Sequence, residues 1–223
     1  MTMDTAAIRG PHADGPVLAA GEALDRASAA MILVHGRGAT AEGILSLAGE
    51  LSRPGFAFLA PQAADNTWYP LSFLSPIERN EPYLSSALEC LTALLERTSE
   101  AGIPHERTIL LGFSQGACLA LEFAARNAQR YGGLVGLSGG LIGPEGTPRD
   151  YAGSLAGTPV FLGCSDVDFH IPSERVVESG QVLERLGGEV MVRLYPNMGH
   201  TVNQEELEHV RSIMAAVAPT EAP

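Results

Sequence analysis

Six short apolar runs punctuate this chain, and their character restricts the fold more than any other feature. They are "AAMILVHG" (29–36), "GFAFLAPQ" (55–62), "RTILLGFS" (107–114), "GLVGLSG" (133–139), "PVFLGCS" (159–165) and "EVMVRLYP" (189–196), and they are nearly continuous rather than alternating. A strand with one wet face alternates apolar and polar residues. A strand buried on both faces does not, and such strands belong to parallel sheets covered by helices. Helical patterns fall between the runs, over 40–52, 82–100, 115–130, 173–186 and 203–217. In the second, Leu88, Leu91, Leu94 and Leu95 keep helical spacing, and Gly132 and Gly133 follow the third as stops. Alternating strands and helices predict an α/β protein with an open, mostly parallel central sheet and helices on both faces. The 223 residues can enclose a sizeable core, and no repeat or long linker divides them. One domain over 1–223 is expected, with loose ends over about 1–16 and 219–223.

Charge and composition exclude several chemistries. The formal net charge is −12, and every basic side chain is an arginine. Without lysine there is no lysine Schiff base, no Walker-type phosphate-binding lysine and no Ser–Lys dyad. The acidic balance argues against nucleic acid and anionic membrane surfaces as partners. No apolar run approaches the ~18 residues that a membrane helix needs. The start, "MTMDTAAIRGPHADGP", lacks a basic then apolar leader, so a cytoplasmic location without stable membrane association is expected. Cys90, Cys118 and Cys164 are scattered in apolar segments without metal-ligand spacing, as buried, reduced thiols would be.

Two segments match Gly-x-Ser-x-Gly, "GFSQG" (112–116) and "GLSGG" (136–140), so the bare pattern cannot decide between them. Context separates them. Ser138 is followed by "GLIGPEGTP", where glycine and proline prevent a prompt helix. Ser114 follows "TILL" and precedes "QGACLALEFAARNAQR", in which Ala117, Ala120, Leu121, Ala124 and Ala128 keep helical spacing. Gly112 and Gly116 are the small residues that a sharp strand-to-helix turn needs. Ser114 is therefore read as a nucleophile at the start of a helix whose amides point at the reaction centre. The competing reading is a simple helix N-cap.

A serine nucleophile needs a base, and the base an orienting acid, here in the chain order Ser, Asp or Glu, His. Of the six histidines, His12, His35 and His105 precede the serine and His209 sits inside the last helix. His170 lies two residues past Asp168, too close for acid and base to face each other. His200, in "YPNMGHTVNQEEL" between the last strand and last helix, is the expected base. For the acid, "CSDVDFHIP" offers Asp166 and Asp168, and spacing alone does not separate them; Asp166 can instead cap the turn. Asp-x-Asp-x-His alternates as metal ligands can, but no further ligand cluster accompanies it. The loop "VHGRGAT" (34–40) follows a strand with two glycines and suits an oxyanion site built from the backbone amides of Arg37 and Gln115.

With "VHGRG", "GFSQGA", "SDVDFHIP" and "NMGHTV" in this order, the sequence resembles the phospholipase/carboxylesterase family of α/β-hydrolases, which includes acyl-protein thioesterases and small bacterial carboxylesterases. The resemblance covers about residues 30–215. It implies an α/β-hydrolase fold without a large cap domain, and a serine hydrolase in which Ser114 is nucleophile and His200 base. The family's Asp-Pro-x-Val-Pro pattern aligns with "DFHIP", which favours Asp168 as the acid, although Phe169 replaces the usual proline. Arg37 also departs from the apolar residue usual in the oxyanion loop; its charge suits acidic or polar acyl groups, or a nearby carboxylate.

The segment "NTWYPLSFLSPIERNEPYL" (66–84) carries Trp68, Tyr69, Phe73 and Leu74, which suit the wall of an apolar acyl pocket or the core. The expected function is hydrolysis of small-molecule esters by a serine carboxylesterase through an acyl-enzyme, with no cofactor or metal required. A thioesterase acting on acylated proteins or small thioesters is the alternative, and a non-catalytic binding module of this fold a more distant one. An exposed sheet edge or the aromatic segment offers a route to a homodimer, for which the sequence holds no specific signal.

Overall fold

A computed structural model describes residues 10–218. Seven strands form one sheet: β1 (Val17–Gly21), β2 (Ala29–Val34), β3 (Phe56–Pro61), β4 (Thr108–Phe113), β5 (Gly133–Leu137), β6 (Pro159–Ser165) and β7 (Glu189–Tyr195), in the spatial order β1-β3-β2-β4-β5-β6-β7. All neighbours pair in parallel except β1, which runs antiparallel to β3 at one edge. Six α-helices accompany them among the described residues: α1 (Ala41–Leu45), α2 (Leu47–Glu50), α3 (Tyr83–Glu100), α4 (Gln115–Arg126), α5 (Ser173–Arg185) and α6 (Gln204–Val217).

Alternate strand residues feed two separate cores. Ile32, Val34, Leu110, Leu134 and Leu162 pack under α3, α4 and α5, while Met31, Leu33, Ile109, Leu111, Val135 and Phe161 pack under α1, α2 and α6. Burial on both faces is why β2 to β6 appear in the sequence as continuous apolar runs. The result is the α/β-hydrolase arrangement with no large cap domain.

The structure departs from the expected elements at four places. β1 was not foreseen, because a five-residue edge strand whose larger apolar side chains are only Val17 and Leu18, with three of its five residues exposed, leaves little apolar signal. The helix expected over 40–52 is two short ones, with the chain turning at Ser46, and β7 is an edge strand with four of its seven residues exposed. The expected loose ends over 1–9 and 219–223 lie outside the described residues, but 10–16 are tied down. His12 N–H donates to Ser86 Oγ at 3.0 Å, its Nε2 bonds the Trp68 carbonyl at 3.0 Å, and its Nδ1 accepts from Ala64 N–H at 3.1 Å.

Candidate active site

The carboxyl ends of β4, β6 and β7 open on one side of the sheet, where ligands bind in such folds. Ser114 follows β4 directly with φ 54° and ψ −120°, a strained conformation for a residue with a side chain. Its N–H donates to the Leu137 carbonyl at 2.9 Å, and its carbonyl accepts from Cys118 N–H at 3.0 Å. The flanking glycines are sterically required. A Cβ on Gly112 would strike the backbone of Gly116 and Ala117, and one on Gly116 the carbonyls of Val34 and His35. Although Ser114 sits at the N-cap position of α4, its hydroxyl makes no capping bond.

That hydroxyl instead meets His200. Ser114 Oγ lies 2.8 Å from His200 Nε2, and His200 Nδ1 lies 2.6 Å from Asp168 Oδ2. With Asp168 ionised, Nδ1–H donates to the carboxylate, leaving Nε2 to accept from the serine. Asp168 Oδ1 accepts from the backbone N–H groups of His170 (2.8 Å) and Ile171 (3.1 Å), so both oxygens are held. Burial pushes the Asp168 carboxyl upward, but the bonds from His200, His170 and Ile171 together outweigh it, and its pKa falls below the ordinary aspartate value.

Asp166 does something else. Exposed, it accepts from Asn197 N–H at 2.9 Å, and its own N–H donates to the Tyr195 carbonyl, bracing the loop that carries His200. The two aspartates thus split the work that the sequence could not divide between them.

The loop after β2 presses on the serine: a Cβ on Gly36 would lie 3.3 Å from Ser114 Cβ. Arg37 follows it, and Gln115 opens α4, so the Gln115 amide has no intrahelical carbonyl to bond. Their side chains fasten the segment 66–84. Arg37 Nη1 donates to Thr67 Oγ1 (3.1 Å) and the Pro70 carbonyl (2.9 Å), and Nη2 to the Leu71 carbonyl (2.6 Å). Gln115 Oε1 accepts from Trp68 N–H at 2.9 Å, and its Nε2 donates to the Tyr69 carbonyl at 2.8 Å.

A cleft of about 460 Å³ opens over this site, bounded by Arg37, the stretch Tyr69–Phe73, Ser114, Gln115, Cys118, His170, Ile171 and His200. Tyr69 and Phe73 stand where the sequence suggested. Trp68 and Leu74 do not line the cleft: the Trp68 indole is fully buried, donating to the His35 carbonyl at 2.8 Å and packing against the rings of His12 and His35, and Leu74 packs on the core. Alternation along an irregular segment does not say which side chains turn inward. Sequence reasoning also passed over Cys118 and His170 as cleft residues. Cys118 was findable, since it stands one helical turn after Ser114 on α4. All three cysteines are buried, and burial pushes each thiol up to about 12. Among the described residues, no group of three or more His, Cys, Asp and Glu could hold a metal ion, and no helix is long and apolar enough to cross a membrane.

A family model described as Phospholipase/Carboxylesterase matches residues 19–218, and the chain belongs to that family. It is 31% identical to acyl-protein thioesterase 1 of Gibberella zeae over 56% of this chain, a match spanning about half (54%) of that protein. It is 25% identical to acyl-protein thioesterase 1 of Emericella nidulans over 89% of this chain and 94% of that one. Among solved structures, a phospholipase/carboxylesterase from Dyadobacter fermentans superposes with a TM-score of 0.88 at 39% identity, covering 93% of this chain and 99% of the other.

Proposed function

We propose that the chain is a serine carboxylesterase that hydrolyses small acyl esters through an acyl-enzyme. The observation that carries this reading is the unbroken relay from Ser114 Oγ through His200 to Asp168, at 2.8 and 2.6 Å, at the floor of an open cleft. Ser114 Oγ attacks the ester carbonyl while His200 Nε2 takes its proton. Negative charge on the tetrahedral oxygen meets the backbone N–H groups of Arg37 and Gln115. His200 returns the proton to the departing alcohol, and Asp168 stays ionised to stabilise the imidazolium. Water, activated by His200, then attacks the acyl-serine; its proton passes through Nε2 back to Ser114 and the carboxylic acid leaves.

The test is hydrolysis of p-nitrophenyl esters from acetate to laurate by wild type and Ser114→Ala. Hydrolysis by wild type alone supports the reading, with a preference for short chains that fit the cleft. Activity surviving Ser114→Ala refutes it. Similarity to acyl-protein thioesterases favours a second reading, cleavage of thioesters by the same residues. Matched ester and thioester substrates of one acyl group separate the two by kcat/KM.

A further inference from the structure

The cleft is electrostatically unlike the chain that forms it. In a protein of net charge −12, no aspartate or glutamate lines its wall among the described residues, whereas Arg37 and His170 do. Arg37 has no carboxylate partner there. Its three hydrogen bonds end on a hydroxyl and two carbonyls, which hold the guanidinium in place without cancelling its charge. One Nη2–H and the Nε–H remain undirected. Arg126, Arg149 and Arg175, by contrast, are all ion-paired to glutamates.

His170 is the second polar side chain on the wall. Its backbone N–H is fixed on Asp168, and its exposed ring packs edge-on against His200 at 5.0 Å between centroids and against Phe169 at 5.1 Å. Neither ring nitrogen of His170 has a hydrogen-bond partner among the described residues, which leaves the imidazole free to donate an N–H to a ligand oxygen.

We propose that the cleft selects esters bearing a second, ionised carboxylate, which the Arg37 guanidinium attracts and the His170 ring N–H can hydrogen-bond. This rests on the serine esterase reading and names its substrate class. A held guanidinium in the wall of a cleft without carboxylates favours an anion more than an equal charge on an open surface.

The test compares kcat/KM for two matched pairs. p-Nitrophenyl hemisuccinate against p-nitrophenyl butyrate places the carboxylate on the acyl side; 4-acetoxybenzoate against phenyl acetate places it on the leaving group. The expected result is a preference of roughly tenfold for the anionic member of at least one pair at about 20 mM ionic strength, shrinking toward unity at about 0.5 M salt. Arg37→Gln, which keeps the backbone amide, and His170→Gln are each expected to reduce that ratio several-fold. The salt series uses the unaltered protein, so a poorly folding variant does not remove the test. If neutral esters are hydrolysed and neither anionic partner is preferred, the charge proposal is overturned while the esterase reading stands. If no ester of the four is hydrolysed, the esterase reading falls, and the charge proposal with it.

Discussion

The two Gly-x-Ser-x-Gly segments lie side by side. Gly112 pairs with Gly136 and Phe113 with Leu137 across the parallel strands β4 and β5, and both serines have left-handed backbone, φ 54° at Ser114 and 51° at Ser138. Their fates are opposite. Ser114 is half-buried, opens a helix and holds His200; Ser138 is fully buried and its N–H is pinned to the Gly163 carbonyl at 2.7 Å. After Ser138 the chain packs on, with Gly139 close against Ala117 of α4. Backbone strain is therefore not what distinguishes a nucleophile from a structural residue. The helix that follows lifts one serine to the open sheet edge, and its absence leaves the other inside.

The largest expected contrast is in rate. Ser114→Ala is expected to lower kcat by up to about 10⁶-fold, whereas Ser138→Ala should change it less than about threefold. A large loss from Ser138→Ala in a folded protein would break the distinction. The aspartates sharpen it next. Asp168→Asn is expected to cost on the order of 10³–10⁴ in kcat by disturbing the His200 tautomer, and Asp166→Asn about tenfold or less through the Asn197 turn.

In stability, the paired first glycines should differ. A Cβ on Gly112 meets only backbone atoms, while one on Gly136 meets the movable methyl groups of Leu121 at 2.9 Å and Leu162 at 3.0 Å. Gly112→Ala is expected to cost about 3 kcal/mol and Gly136→Ala about 1 kcal/mol, read from urea midpoints. Equal costs would mean the two turns are not packed as described.

The buried side of the comparison also holds a titrating group. Glu206, in the first turn of α6, accepts from Asn203 N–H at 2.8 Å with Oε2, while Oε1 is pressed against Gly163 without a hydrogen-bond partner among the described residues. Burial pushes its pKa from 4.5 up to about 7. Because the folded value is the higher one, the stabilisation from protonated Glu206 is complete below about pH 4.5 and is lost as the pH rises through about 7. Glu206→Gln, which keeps a capping oxygen, is expected to be about 2 kcal/mol more stable than wild type at pH 8, with the gap closing near pH 5. Thermal unfolding at the two pH values measures it, and a gap independent of pH would contradict the shift.

The sheet was legible because β2 to β6 are buried on both faces and carry that burial as apolar runs. β1 was not, since a short, largely exposed edge strand has no such signature. At the site, Ser114 could be chosen from the helix after it and His200 from its loop. Asp168 needed the family pattern, because the bend after β6 decides which of two aspartates turns inward, and that bend is fixed by the amides of His170 and Ile171 rather than by composition. Trp68 and Tyr69 are adjacent and both buried, yet only Tyr69 reaches the cleft. Gln115 holds the backbone of both, accepting from Trp68 N–H and donating to the Tyr69 carbonyl.

The most direct measurement is covalent labelling with a fluorophosphonate, followed by mass spectrometry of the peptides carrying the two pentapeptides. Stoichiometric modification of Ser114, abolished in Ser114→Ala and strongly slowed in His200→Ala, with Ser138 unmodified, is the expected result. Labelling at Ser138, or ester hydrolysis that proceeds with Ser114 unmodified, would contradict the assignment of Ser114 as the nucleophile.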